Sequence, residues 1–185
     1  LHTAHWRRPP ELNLSRDVSA FSDVDVELVY SAALPYWGCL RNWTSGRRPV
    51  LPAFVGESYY ENQTRFEPPG PWPPAMVRRQ AYWAILSGAG HLYGIHSATP
   101  PSATDSPGAW QMKHVKDIFT ARAWYDLVPD FEHRIVTAGW GSMGVDENKQ
   151  PRLEDDYVTA AATPDGALLM AYLPPVPGKD SRTLT

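Results

Sequence analysis

Short apolar runs alternate with segments of helical period along most of this chain, and that alternation restricts its fold more than any single motif does. Val24 to Ser31 is a run rich in Val and Leu, which is strand composition. Tyr36 to Trp43 carries apolar residues at helical spacing and ends before Gly46. Val50 to Val55 is again short and apolar, with Pro52 inside it and Gly56-Glu57 closing it. A proline-rich loop from Glu67 to Pro74 leads into the clearest helix, Ala75 to Ser87. Met76, Val77, Ala81, Ala84, Ile85 and Leu86 form its apolar face, and Arg78, Arg79 and Gln80 are expected in solvent. Gly88 and Gly90 stop it, and a strand is expected over His91 to His96. A second strong helix is expected over Trp110 to Trp124, with Val115, Ile118, Phe119 and Ala123 inward. Strands recur roughly every 25 to 40 residues, the length of a strand–helix–strand unit with parallel strands.

The pattern changes past Pro129. Tyr157 to Ala162 and Ala167 to Leu173 read as two strands joined by Thr163-Pro164-Asp165-Gly166. Proline presets φ in such a turn and glycine accepts a positive one, so the segment predicts an antiparallel hairpin and a new domain. The 185 residues are fewer than the roughly 250 that a complete (β/α)8 barrel needs.

Composition excludes several functions. A net charge of -3, with cationic runs no longer than pairs such as Arg78-Arg79, gives no footprint for nucleic acid. Apolar runs fall short of the roughly 18 residues that span a bilayer. Cys39 stands alone, so neither an internal disulfide nor a cysteine-based zinc site is expected; it reads as a small buried hydrophobe. No metal and no cofactor are expected. Leu1-His2-Thr3 lacks the charged start and apolar core of a secretory leader, and reads as the middle of a longer polypeptide.

In a parallel barrel the active site lies at the C-terminal ends of the strands. Glu57 follows the Val50 to Val55 strand directly, and His96 ends the next strand as expected here. Ser31 ends the earlier one, and His2 and His5 fall at the end of a strand that begins before the chain does. Glycoside hydrolysis needs two carboxyl groups flanking the bond, one to protonate the leaving oxygen and one to attack or to activate water. Glu57 is a candidate for one of them; the plain alternative is a solvated surface charge. Glu61 is a second acid in the same loop, and reads as a supporting group, a sugar contact or a helix-start charge. Tyr59, Tyr60 and Trp110 could stack on a pyranose, although core packing is the commoner use of such rings. His2-Thr3-Ala4-His5 does not have the spacing of a metal motif.

The segment from Pro49-Val50-Leu51 through Gly56-Glu57-Ser58-Tyr59-Tyr60-Glu61 resembles the apiosidase-like glycoside hydrolases, glycoside hydrolase family 140 and its relatives. There a strand ends in Gly-Glu with Tyr-Glu soon after. Arg78 to Ala84 and Ser87 to Gly94 are similar to the helix and strand that follow in that family. Trp110-Gln111-Met112 and Leu127-Val128-Pro129-Asp130 resemble its last barrel helix and the exit from the barrel. Tyr157 to Ala162, Pro164-Asp165-Gly166 and Tyr172-Leu173-Pro174 are similar to the opening of a β-sandwich named for collagen binding.

The resemblance implies an α/β chain. Residues 1–131 would be the C-terminal half of a (β/α)8 TIM-type barrel, and 132–185 the start of an incomplete antiparallel β-sandwich. It makes Glu57 the nucleophile of a retaining glycosidase acting on plant or microbial polysaccharide. The substrate-contacting set would be His2, His5, Tyr59, Tyr60, Glu61, Tyr93, His96 and Trp110. The family's acid/base carboxylate lies on an earlier strand, and no residue here inherits its role. The implied partners are a carbohydrate and either the missing N-terminal half barrel or a second copy; neither nucleic acid nor membrane is implied. For the complete protein a secreted or periplasmic location is implied. The rival reading is a non-catalytic carbohydrate-binding or adhesion protein on the same scaffold.

Overall fold

The computed structural model describes residues 3, 24–30, 35–44, 49–63, 72–96, 105–142, 155–176, 178 and 181–185. Three short strands, β1 (Glu27–Tyr30), β2 (Ala53–Glu57) and β3 (Ala89–His91), form a parallel sheet in that order. The crossovers carry α1 (Pro35–Thr44) and α2 (Pro74–Ile85), as a parallel sheet requires. A third helix, α3 (Pro107–Thr120), follows β3, and a 3-10 turn over Trp124–Asp126 ends the helical part. The chain then forms a second, antiparallel sheet of β4 (Val128–Pro129), β5 (Thr159–Ala162) and β6 (Leu169–Tyr172). The fold is therefore mixed α/β, with one parallel and one antiparallel sheet. No helix among the described residues is long and apolar enough to cross a membrane.

The parallel sheet gives one face to the helices. Val29, Val55 and Ala89 pack with Cys39 of α1 and Ala84 of α2, and all five are buried. Each fully buried valine contributes about 1.5–3 kcal/mol relative to exposure. Burial pushes the Cys39 thiol up to about 12, so it stays protonated and serves packing.

The antiparallel sheet closes over the outer side of α2 and α3. Ala161 of β5 joins Ala81, Leu86, Val115 and Phe119 in one cluster, and the ring of Tyr172 stacks on Tyr82 at 4.3 Å. Trp83 donates its indole N–H to the Tyr157 carbonyl at 2.9 Å, and the Tyr157 hydroxyl reaches Tyr36 of α1 at 3.1 Å. The hairpin turn falls where Pro164-Asp165-Gly166 predicts it: Gly166 has φ 70, and Asp165 accepts from Thr163 Oγ1 and the Ala167 N–H.

Four expectations change, the first being that Ile118 and Ala123, expected inward, are exposed. Arg79 and Gln80 were expected in solvent, but they are buried, and Arg79 is covered by the segment before β5. Arg79 donates to the Asp155 carbonyl at 2.6 Å and lies over the Trp83 ring. The third strand covers Ala89–His91 rather than His91 to His96, with Gly90 paired to Phe54 inside the strand. The last helix starts at Pro107, capped by Ser106, whose hydroxyl accepts the Ala109 N–H at 3.1 Å.

Candidate active site

Glu57 closes β2 at the C-terminal end of the parallel sheet. The register of β1 with β2 runs Leu28–Phe54, Val29–Val55 and then Tyr30–Glu57, so Gly56 is an extra residue on β2. Val29 and Val55 face the helices. Leu28 and Phe54 face the other way, and a Cβ placed on Gly56 would lie 3.0 Å and 3.2 Å from their side chains. Strict alternation would put Glu57 on the Val55 face, under the helices. The extra residue instead brings it into register with Tyr30. A bulge of this kind re-aims the residue that follows it.

The next residue turns the other way. The Ser58 hydroxyl lies 3.1 Å from His91 Nε2 at the end of β3. His91 sits two residues after Ala89, on the helix-ward side. Burial pushes its imidazole down to about 4, so the ring is neutral at physiological pH. Tyr59 is enclosed with Trp72 and Met76, its ring 4.2 Å from that of Trp72, and burial raises its phenol.

Glu61 is 1% exposed. One carboxylate oxygen accepts the backbone N–H of Gly108, in the first turn of α3, at 3.0 Å. The other accepts the Tyr93 hydroxyl, which also meets Ser106 Oγ at 2.7 Å. Burial and the bond to Glu61 push the Tyr93 phenol up to about 12. A carboxylate at a helix N-terminus is favoured by the helix dipole and by the unpaired N–H groups of the first turn. The Glu61 backbone pairs with the segment after β3: its N–H donates to Gly94 at 2.9 Å, and its carbonyl accepts from His96 at 2.8 Å. Parallel pairing is thus resumed above the ends of β2 and β3. Among the described residues, no three of His, Cys, Asp and Glu are grouped so as to hold a metal ion.

Residues 2–126 match the family described as apiosidase-like, catalytic domain, which is well over half of the 185-residue chain. The chain belongs to this apiosidase-like family. None of the curated proteins matches it. A solved chain described as a glycoside hydrolase is similar over 81% of this chain and 41% of its own length, at 19% identity and a TM-score of 0.57. A glycoside hydrolase family 5 protein from Bacteroides vulgatus ATCC 8482 is similar over 81% and 39%, at 18% identity and a TM-score of 0.55. At these identities the likeness is one of fold. The apiosidase-like chain spans about two fifths of the length of either.

Of the residues singled out in the apiosidase-like sequence, Glu61 and Tyr93 meet in one buried network. Tyr60 is half-buried beside Gly94, where any Cβ would run into its ring. His96 is exposed and follows the Glu61–Ile95 bridge rather than ending a strand. Trp110 is 57% exposed in the first turn of α3. His2 and His5 lie outside the described residues. Ser58, His91, Ser106 and Gly108 were not anticipated as part of the site. Ser106-Pro107 carried a readable signal, a capping residue followed by proline at the first helical position. Nothing local in the sequence signals the Ser58–His91 pair.

Proposed function

We propose that this chain is part of a retaining glycoside hydrolase in which Glu57 is the nucleophile, acting on plant or microbial polysaccharide. The observation that carries the reading is the register shift beside Gly56 at the C-terminal end of β2, where Glu57 closes the strand. Membership of the apiosidase-like family supports it. In such a mechanism the carboxylate attacks the anomeric carbon as the glycosidic bond breaks, and a second carboxyl protonates the departing oxygen. Water then releases the sugar from the covalent intermediate, with the second group acting as base. Glu61 does not suit the second role, because both its oxygens are engaged by Gly108 and Tyr93. The acid/base is therefore assigned to none of the described residues.

The proposal includes the domain plan: 1–131 as part of a (β/α)8 barrel and 132–185 as the start of a β-sandwich. The family match ending at residue 126 supports the first part. The second is supported by the apolar residues that the antiparallel sheet leaves exposed, Leu169 at 58%, Leu173 at 42% and Val128 at 42%, which a second sheet would cover.

The complete protein carrying Glu57→Gln should lose about 10³-fold or more in turnover while keeping its circular dichroism spectrum and melting temperature. A slow 2-fluoro glycoside should label Glu57 covalently, read by peptide mass spectrometry. Undiminished turnover in Glu57→Gln, or a label on another carboxylate, would remove the assignment.

A further inference from the structure

Glu61 was expected as a supporting group, a helix-start charge or, by the family resemblance, a substrate contact. Its burial, its two hydrogen-bond donors and its place between three segments assign it a task of the first kind. We propose that Glu61 is a positioning residue: through Tyr93 and the N-terminus of α3 it fixes the segment that carries Glu57. The inference rests on the reading of Glu57 as nucleophile.

Five observations support it. Glu61 is four residues after Glu57, and the intervening residues leave that segment little freedom. Ser58 is held by His91, and Tyr59 is enclosed by Trp72 and Met76. The Glu61 main chain is paired through both its N–H and its carbonyl to one segment, at Gly94 and His96. Its side chain then crosses to α3, where Gly108 has no Cβ to keep it away: a Cβ there would overlap the carboxylate. Finally, Tyr93 ties the same carboxylate to Ser106, the residue that caps α3. A buried carboxylate without these donors would lose the bonds that offset its desolvation. The loop after Glu57 is therefore coupled to the start of α3 by charge-assisted bonds, which are stronger than neutral ones. Misplacement of a reacting group by about 1 Å can cost about 10²-fold in rate, so such an anchor acts on the chemical step.

The test uses the complete protein and a panel of 2,4-dinitrophenyl pentosides and hexosides. That leaving group departs without an acid, so single turnovers with enzyme in excess report attack by the nucleophile; kcat and KM here are the maximal single-turnover rate and its half-saturating concentration. With the best-cleaved glycoside, Glu61→Gln should lower kcat about 10- to 100-fold and leave KM within about twofold. Tyr93→Phe keeps the ring and removes only the hydroxyl; it should lower kcat in the same sense by less. The double variant should be no worse than Glu61→Gln alone, because both changes break one link. Tyr93→Phe also decides the matter should Glu61→Gln fail to fold. A raised KM with unchanged kcat would make Glu61 a substrate contact and overturn the proposal. Wild-type kcat in Tyr93→Phe and Glu61→Gln alike, with only the melting temperature lowered, would overturn it as well. Glu57→Gln separates the two readings. If it retains turnover, the assignment of Glu57 falls and the positioning role with it, and if the wild type cleaves none of the panel, the glycosidase reading falls; if it is inactive and the Glu61 variants are not impaired, only the positioning role falls.

Discussion

A histidine held neutral by burial links this structure to pH. His91 has its pKa pushed down to about 4, whereas an unfolded histidine titrates near 6.5. Between those values the unfolded chain binds a proton that the folded one refuses, so stability rises with pH across that window. The contribution is fully present above about 6.5, and is lost as pH falls through the window toward about 4; its ceiling is about 3 kcal/mol. His91→Gln, which keeps a hydrogen-bonding partner for Ser58 but cannot titrate, should flatten that part of the curve. Denaturant midpoints measured from pH 4 to 7 on both proteins would show it; parallel curves would mean that His91 is not the group responsible. At this scale the sequence was partly legible. Gly56-Glu57 stands out because a charge ends an apolar run. The Ser58–His91 pair does not, because its members are 33 positions apart and meet only once β2 and β3 are paired. Glu61 was visible as an acid, but its burial was not: the donors that permit it come from Tyr93 and Gly108, after the next strand.

Elements were legible where one face decides the pattern. Each predicted helix of the described residues exists, and the hairpin turn falls on its signal. One error arises where a second surface covers the first. Periodicity in α2 identifies Met76, Val77, Ala81 and Ala84 as inward, and these are buried. It cannot report that Arg79 is buried too, because that depends on residues near Tyr157 arriving from far along the chain. The start of α3 offers a test in which two effects oppose each other. Gly108→Ala should stabilise an isolated helix by about 1 kcal/mol on propensity alone. Here the new methyl would overlap the Glu61 carboxylate, backed by its bonds to Tyr93 and the main chain. Overpacking typically costs about 1–3 kcal/mol, and displacing a buried carboxylate from its donors adds to that, so the net effect should be destabilising. Urea unfolding should show a lower midpoint for Gly108→Ala; a higher one would mean that Glu61 moves aside freely. In Glu61→Gly, where the obstruction is gone, the same alanine should turn neutral or favourable, which a double-mutant cycle reads directly.

Over the whole molecule, the two sheets differ in kind but share a core. Sequence alternation separated them correctly in type, parallel before Pro129 and antiparallel after, and suggested a boundary between independent units. The packing qualifies that independence. β4 already belongs to the antiparallel sheet at Val128–Pro129, and Ala161 of β5 lies in the cluster built by α2 and α3. Trp83 and Tyr172 extend the contact across its width. No local pattern announces such an interface, since β5 and β6 look apolar whichever surface they cover. β6 itself shows the ambiguity: Met170 and Tyr172 turn toward the helices, while Leu169 and Leu173 remain exposed. A shared core predicts shared unfolding. Ala161 is fully buried against Ala81, Leu86, Val115 and Phe119, so Ala161→Asp places an unpaired charge there at a cost of about 3 kcal/mol or more. If the sheets unfold as one unit, that change lowers the melting of α2 and α3, read by far-UV circular dichroism, as much as it lowers the near-UV tryptophan signal. If the hairpin is a separate unit, the helices keep their original midpoint and a second transition splits off below it. The contacts of Trp83 and Ala161 favour a single transition, because detaching the antiparallel sheet would expose α2 on the side where Arg79, Trp83 and Ala81 are now buried.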